Sequence, residues 1–180
     1  MKIVPTEIPE VIQIVPDIFH DDRGFFMEVF HTGRFQQEGL PSNFVQDNLS
    51  HSKRGVLRGL HYQIDNPQGK FVTCLNGEIF DVAVDLRKSS PTFRQWVGVT
   101  LRASERNSLY IPPGFAHGFY VLSETADVFY KCTDLYSPRS ERTLLWNDPD
   151  IGVKWPVTGD PIVSVKDLNG LRLAQAECFP

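Results

Sequence analysis

Nine or ten short strand-like segments, set apart by turns at nearly regular spacing, constrain this chain most. Val11, Ile12, Ile14 and Val15 precede Pro16, and Asp21-Asp22-Arg23-Gly24 turns the chain into a second segment, Phe25 to Phe30. Further segments run from Phe44 to Ser52, Gly55 to Gln63, Lys70 to Leu75, Glu78 to Leu86, Trp96 to Leu101, Ser108 to Ile111, Phe115 to Leu122 and Ala126 to Tyr136. Asn76-Gly77 and Pro112-Pro113-Gly114 are strong turn signals among them. Only Thr32 to Gly39 and a turn opening at Lys166-Asp167 read as helical. This pattern predicts an all-β sandwich or barrel, not a βαβ protein. A length of 180 residues, without repeats or a linker, suits a single domain over 1–180.

Composition excludes several classes of function. A net charge of −4 offers no overall basic field for nucleic acid or an anionic membrane, so an anionic ligand needs a local cluster of Arg and Lys. No apolar run approaches the ~18 residues that span a bilayer, and the first twenty residues do not read as a signal peptide. Three cysteines, Cys74, Cys132 and Cys178, point to reduced thiols and a cytoplasmic location. Neither GxGxxG nor a P-loop is present, which disfavours dinucleotide and kinase chemistry.

The centre of the chain is Gly55-Val56-Leu57-Arg58-Gly59-Leu60-His61-Tyr62-Gln63. Strict alternation puts Leu57, Gly59, His61 and Gln63 on one face, with Arg58, Leu60 and Tyr62 on the other. Alternation in Glu78 to Leu86 puts Phe80, Val82 and Val84 opposite Asp81, Ala83 and Asp85. Phe44 to Ser52 is polar for a strand, and reads equally as a sheet edge or as a wall facing a ligand. His61, His117, Lys70, Tyr130, Tyr136, Asp81, Arg23, Arg58 and Asp167 form the inventory of candidate pocket residues. Taken singly, each also reads as a core or solvated residue. Together they are a base, an oxyanion stabiliser and an acid, the equipment for moving a proton next to a ketone. The arginines suit a phosphate or diphosphate, and Tyr136 suits stacking on a nucleobase.

Two stretches, Gly55…His61-Tyr62-Gln63 and Pro113-Gly114-Phe115-Ala116-His117, resemble the paired strand motifs of the cupin double-stranded β-helix, a small jelly roll. The metal-binding version needs a second His where Gln63 stands and a carboxylate in the loop leading to Lys70. No metal is therefore expected.

Longer motifs narrow the resemblance. Asp22-Arg23-Gly24-x-Phe26-x-Glu28, Gln46-Asp47-Asn48, the central stretch, Gln68-Gly69-Lys70 and Asp81-Val82-Ala83-Val84-Asp85 resemble the dTDP-4-dehydrorhamnose 3,5-epimerase family. So do Ser90-Pro91-Thr92-Phe93, Ile111-Pro112-x-Gly114-Phe115-Ala116-His117-Gly118-Phe119, Tyr130-Lys131 and Trp146-Asn147-Asp148-Pro149. The resemblance runs from about Ile8 to Asp167 and implies a cofactor-free isomerase. Its substrate would be dTDP-4-dehydro-6-deoxy-D-glucose, inverted at C3 and C5 within dTDP-L-rhamnose biosynthesis. It implies His61 as base, Tyr130 as acid, Asp167 orienting His61, and Lys70 steadying the enolate. Arg23, Phe26, Glu28, Gln46, Asp47, Asn48, Arg58, Lys70, His117, Glu141 and Lys166 would bind substrate, Tyr136 would stack on thymine, and Asp81 would support His117. It also implies a homodimer in which the Arg23–Glu28 segment helps build the neighbour's pocket. Arg94, where the family has a small residue, and the ending Asp167-Leu168-Asn169-Gly170 depart from the pattern. An epimerase of a single centre, a 3,4-ketoisomerase and a non-catalytic anion-binding cupin are the rival readings. Since the implied roles need Arg58 and His61 on the same side, Gly59 is expected to break the alternation with a bulge or strong local twist.

Overall fold

β-Branched and aromatic residues at every second position make one apolar face per strand, and such faces bury each other in pairs of sheets. The computed structural model describes all 180 residues and builds two facing sheets from them. The strands are β1 (Lys2–Pro5), β2 (Ile12–Val15), β3 (Ile18–Asp21), β4 (Gly24–Met27), β5 (Gln46–Lys53), β6 (Val56–Gln63) and β7 (Lys70–Asn76). They continue with β8 (Glu78–Asp85), β9 (Trp96–Arg102), β10 (Ser108–Ile111), β11 (Phe115–Val121), β12 (Thr125–Cys132), β13 (Glu141–Thr143) and β14 (Ile162–Val163). Two short helices, α1 (Thr32–Gln37) and α2 (Val165–Leu168), and one 3₁₀ turn complete the chain. One sheet has the order β1-β2-β10-β7-β12-β5, the other β13-β6-β11-β8-β9 with β14 parallel to β6, while β3 and β4 form a separate hairpin. From β5 to β8 the chain changes sheet at each step, as it winds into a cupin-type jelly roll.

Fourteen strands form where nine or ten were expected, and the four unanticipated ones are β1, β3, β13 and β14. They are two to four residues long, and β13 is Glu-Arg-Thr, so they carry no alternation to read. The segment beginning at Phe25 is a strand only from Gly24 to Met27, and that ending at Tyr136 stops at Cys132. Arg94 takes the left-handed φ of 69°, and its N–H donates to the Asp85 carbonyl.

The space between the sheets is filled at one end by Ile79, Ala83, Leu109, Phe115, Phe119, Val121, Ala126 and Val128. On the outer face of the second sheet, Leu60, Tyr62, Val82 and Val84 pack with Leu144, Ile151 and Leu173 from the C-terminal tail. On the outer face of the first, Phe35 of α1 packs edge-on against Phe71. The other end of the inter-sheet space is left for polar side chains.

Gly59 decides which ones face inward. The pairing of β11 with β6 shifts register between His117↔His61 and Phe119↔Arg58, so one extra residue lies on β6 at Gly59. Strict alternation therefore fails here: Leu57 does not share a face with His61, whereas Arg58, His61 and Gln63 all line the cavity. Gly59 has φ 119°, and a Cβ there would lie 2.6 Å from Gly118 Cα and 2.7 Å from the His117 carbonyl oxygen. Gly118 faces it because it too lacks a side chain. A Gly59→Ala protein should lose about 2–4 kcal/mol of stability, from positive φ plus a backbone clash. Urea unfolding measures this, and a loss below ~1 kcal/mol would mean the bulge does not depend on glycine.

Candidate active site

The cavity has a volume of about 350 Å³. β6 and β11 supply one wall, with Arg58, His61 and Gln63 on the first strand and His117, Gly118 and Phe119 on the second. β5, β7 and β12 supply the facing wall, with Gln46, Asn48 and Ser50, then Lys70, then Tyr130. Tyr136 and Glu141 stand at the rim. His61 and Tyr130 thus approach from opposite sheets, because the strands that carry them belong to opposite sheets. β5 is both an edge strand and a cavity wall: alternation points Gln46, Asn48 and Ser50 inward and leaves Asp47, Leu49 and His51 exposed.

His61 Nε2 lies 2.6 Å from Asp167 Oδ1, a contact across 106 residues. α2 places this carboxylate: Ser164 caps the helix by accepting the Asp167 N–H at 3.1 Å, and the Gly59 N–H donates to Asp167 Oδ2 at 3.3 Å. Burial pushes the Asp167 carboxyl up, but the bonds from His61, Gly59 and Ser164 outweigh it and hold it below the usual carboxylate range. With Nε2 bound to an ionised carboxylate, the lone pair of the imidazole sits on Nδ1. His117, directly across from His61 in the sheet, holds Asp81 at 3.0 and 2.9 Å. The Asp81 carboxyl is raised, by burial first, against the opposing charges of His117 and Lys70.

Lys70 is buried, and its ammonium group has one polar partner, Gln68 Oε1 at 3.4 Å, and no salt bridge. Burial pushes its pKa down, while Cys132, Glu141 and Asp81 pull the other way. This cation is short of an anion. Tyr130 is raised, chiefly by burial, so its hydroxyl keeps its proton at neutral pH. At the rim Glu141 accepts from the Tyr136 hydroxyl at 2.9 Å and pairs with Lys166 at 2.5 Å. Gln63 is fully engaged by the carbonyls of Asn66 and Leu135 and by the Ser137 N–H, so it ties two loops together. No cluster of three or more His, Cys, Asp or Glu side chains has metal-binding geometry.

The cavity gathers His61, Lys70, Gln46, Asn48, Arg58, His117, Tyr130, Tyr136 and Glu141. Asp167 and Asp81 lie behind the two histidines, and Lys166 reaches the rim through Glu141. Asp47 is not in this cavity: its side chain points outward to Lys131, at 2.8 and 2.9 Å, because it falls on the outward phase of β5. Arg23, Phe26 and Glu28 are not in this cavity either. They stand on or just after the β3–β4 hairpin, where Arg23 pairs with Asp21, Glu28 with Arg34, and Phe26 is 70% exposed. Ser50, Tyr62, Gln63, Gln68, Gly118 and Phe119 also line the cavity, although sequence reasoning assigned them no site role; Ser50 was marked only by its inward phase on a polar strand.

A jelly roll whose cavity sets a carboxylate-held imidazole opposite a tyrosine hydroxyl, beside a lysine without a salt bridge, has the form of a cupin-type isomerase. The sequence matches the dTDP-4-dehydrorhamnose 3,5-epimerase family profile over residues 5–175. A dTDP-4-dehydrorhamnose 3,5-epimerase from Pseudomonas aeruginosa is 53% identical, with 100% of each chain covered. One from Neisseria gonorrhoeae is 54% identical over 98% of this chain, which spans 54% of that longer protein. Among solved structures, the dTDP-6-deoxy-D-glucose-3,5-epimerase of Legionella pneumophila, in complex with dTDP-4-keto-L-rhamnose, superposes with a TM-score of 0.95. It is 49% identical, with 98% of this chain and 94% of that one covered. The chain belongs to the dTDP-4-dehydrorhamnose 3,5-epimerase family, and it is an isomerase.

A buried, unpaired ammonium costs stability. Lys70→Met should therefore leave the thermal midpoint unchanged or raise it, while kcat falls about 10²–10³-fold with little change in KM. Calorimetry with steady-state kinetics checks both. A KM that rises with kcat intact would make Lys70 a phosphate anchor instead.

Proposed function

We propose that this chain inverts C3 and C5 of dTDP-4-dehydro-6-deoxy-D-glucose, giving dTDP-4-dehydro-L-rhamnose in dTDP-L-rhamnose biosynthesis. The observation that carries this reading is the pairing of the His61–Asp167 dyad on one wall with the Tyr130 hydroxyl on the other. A C–H next to a ketone is acidic only because its anion is an enolate. His61 Nδ1 takes the proton, and the electrons of the broken C–H bond move through the carbon framework to the ketone oxygen. Lys70 balances the charge that develops there, in a site where one well-placed donor is worth about 3 kcal/mol. Asp167 supports the imidazolium as it forms. Tyr130 then gives its proton to the same carbon from the opposite face, and the phenolate and imidazolium exchange protons with solvent to reset the site. Return of the proton by His61 alone would regenerate the starting isomer, so inversion needs both walls.

Around the reacting ring, His117, Gln46, Asn48 and Arg58 hold the sugar and diphosphate, while Tyr136 stacks on the thymine beside Glu141 and Lys166. The chemistry needs no cofactor. The protein works as a homodimer in which Arg23, Phe26 and Glu28 enter a second copy's cavity. The exposure of Phe19, Phe25 and Phe26 on the projecting hairpin supports this. The three free thiols suit a cytoplasmic location.

Incubation with the 4-keto sugar nucleotide in D₂O, followed by proton NMR, tests the reaction. Deuterium should enter at both C3 and C5 with inversion at each. Inversion at one centre would make this an epimerase of a single carbon, and ketone migration a 3,4-ketoisomerase. Tyr130→Phe keeps the ring and loses only the donor. It should still exchange deuterium at C5, while inverted product forms at least about 100-fold more slowly. His61→Ala should lose exchange and inversion together. Inversion at C5 at the normal rate by Tyr130→Phe would remove Tyr130 from the mechanism. Treatment with EDTA should leave turnover unchanged, and activity restored by one added divalent ion would overturn the metal-free reading.

A further inference from the structure

β5 carries a row of inward polar residues, Gln46, Asn48, Ser50 and Ser52, and three of them have partners within the protein. Gln46 Nε2 donates to Asn48 Oδ1 at 3.0 Å, and its Oε1 accepts the Tyr136 N–H at 2.7 Å. Asn48 Nδ2 points to Cys132 Sγ at 3.6 Å. Ser52 Oγ accepts from Arg58 Nε at 3.0 Å. Ser50 is the exception: its Oγ is the one buried side-chain nitrogen or oxygen in the molecule with no hydrogen-bond partner.

An orphaned hydroxyl costs stability, and folded proteins leave few of them without a reason. Alanine at this position would cost nothing in the ladder, since Ser50 pairs through its backbone with Val128. The Ser50 side chain lines the cavity, one pleat from Asn48, which faces Tyr130, and one pleat from the Ser52 that holds Arg58. It therefore stands between the proton donor and the guanidinium, where a sugar ring would join its diphosphate.

We infer that the Ser50 hydroxyl is a substrate contact, donating a hydrogen bond to an oxygen of the sugar nucleotide at the junction of ring and diphosphate. The inference rests on the sugar-nucleotide reading above. It makes Ser50 a binding and positioning residue that no step of the proton transfer uses.

The two roles a serine can play here predict opposite signs. A hydroxyl that serves the fold would lower the thermal midpoint when removed. A hydroxyl kept for substrate should leave the midpoint unchanged or raised in Ser50→Ala, and weaken substrate roughly fivefold, the effect of one neutral hydrogen bond. Ser52→Ala, which removes a bond made within the protein, should lower the midpoint and serves as the contrast. Calorimetric titration with dTDP and steady-state KM for the 4-keto sugar nucleotide should be run on wild type and Ser50→Ala. Weakening on dTDP assigns the bond to the diphosphate, and weakening on the sugar nucleotide alone assigns it to a sugar oxygen; either outcome is the contact inferred. A Ser50→Ala protein with unchanged dTDP affinity and unchanged KM overturns it, and leaves water as the partner of the hydroxyl. A wild-type protein that neither binds dTDP nor turns over the sugar nucleotide overturns the underlying reading and this inference together.

Discussion

The site depends on two glycines that meet between neighbouring strands. A strand can offer every second side chain to one face, and β6 must offer Arg58, His61 and Gln63, whose spacing is three and then two. The extra residue is absorbed at Gly59, against Gly118 of β11, where a Cβ on either would meet the other's backbone. Without this phase shift, Arg58 would turn toward the packing of Leu60 and Tyr62 against the C-terminal tail, or His61 would. The cationic and basic walls of the cavity therefore follow from a backbone irregularity that two missing side chains permit.

The jelly roll then does what no local element can. It brings Asp167, on a helix of four residues near the end of the chain, within 2.6 Å of an imidazole in its first half. Because consecutive strands alternate between sheets, His61 and Lys70, nine residues apart, arrive on facing walls. A reacting ring held between such walls is reached from both faces by side chains fixed on strands, whose rotamers are limited by packing. This opposition is the requirement of an inversion, and it is met by topology more than by any single residue.

Much of this was legible in the sequence, and the limits were physical. Long alternating segments such as Glu78–Asp85 announced their strand and which residues share a face, but not which face turns inward; that Asp81 stands behind His117 was implied only by the family resemblance. β13 and β14 were silent because two or three residues contain no period, although β13 carries Glu141. The bulge was readable only from a conflict between alternation and the roles implied by the family resemblance. Asp47 falls outside the cavity because the motif Gln46-Asp47-Asn48 is contiguous, while a strand delivers only its alternate members to one side. The hairpin residues Arg23, Phe26 and Glu28 lie outside the chain's own cavity. Ser50 was overlooked for a different reason: a serine becomes informative only once its neighbours' hydrogen bonds have been counted.

The cavity holds two His–Asp pairs side by side, and their surroundings separate them. Asp167 is bonded by His61, by the Gly59 N–H of β6 and by Ser164 at its own helix, and is held ionised below the usual range. Asp81 has His117 as its only hydrogen-bonded partner, lies wholly buried, and is raised. A carboxylate that stays charged can support a developing imidazolium, so the dyad that opens to the cavity at His61 suits a base. A carboxyl that resists charge is served by nearby cations, and Lys70 is one that lowers it. Each then eases the other's burial: Asp81 helps Lys70 keep its proton, and Lys70 helps Asp81 lose one. Neither meets the other in a salt bridge, so the lysine's charge is not spent on the protein and remains available to an oxyanion. Two chemically identical pairs, their histidines directly opposite on neighbouring strands, thus suit different tasks through the balance of burial against hydrogen bonding at each carboxyl.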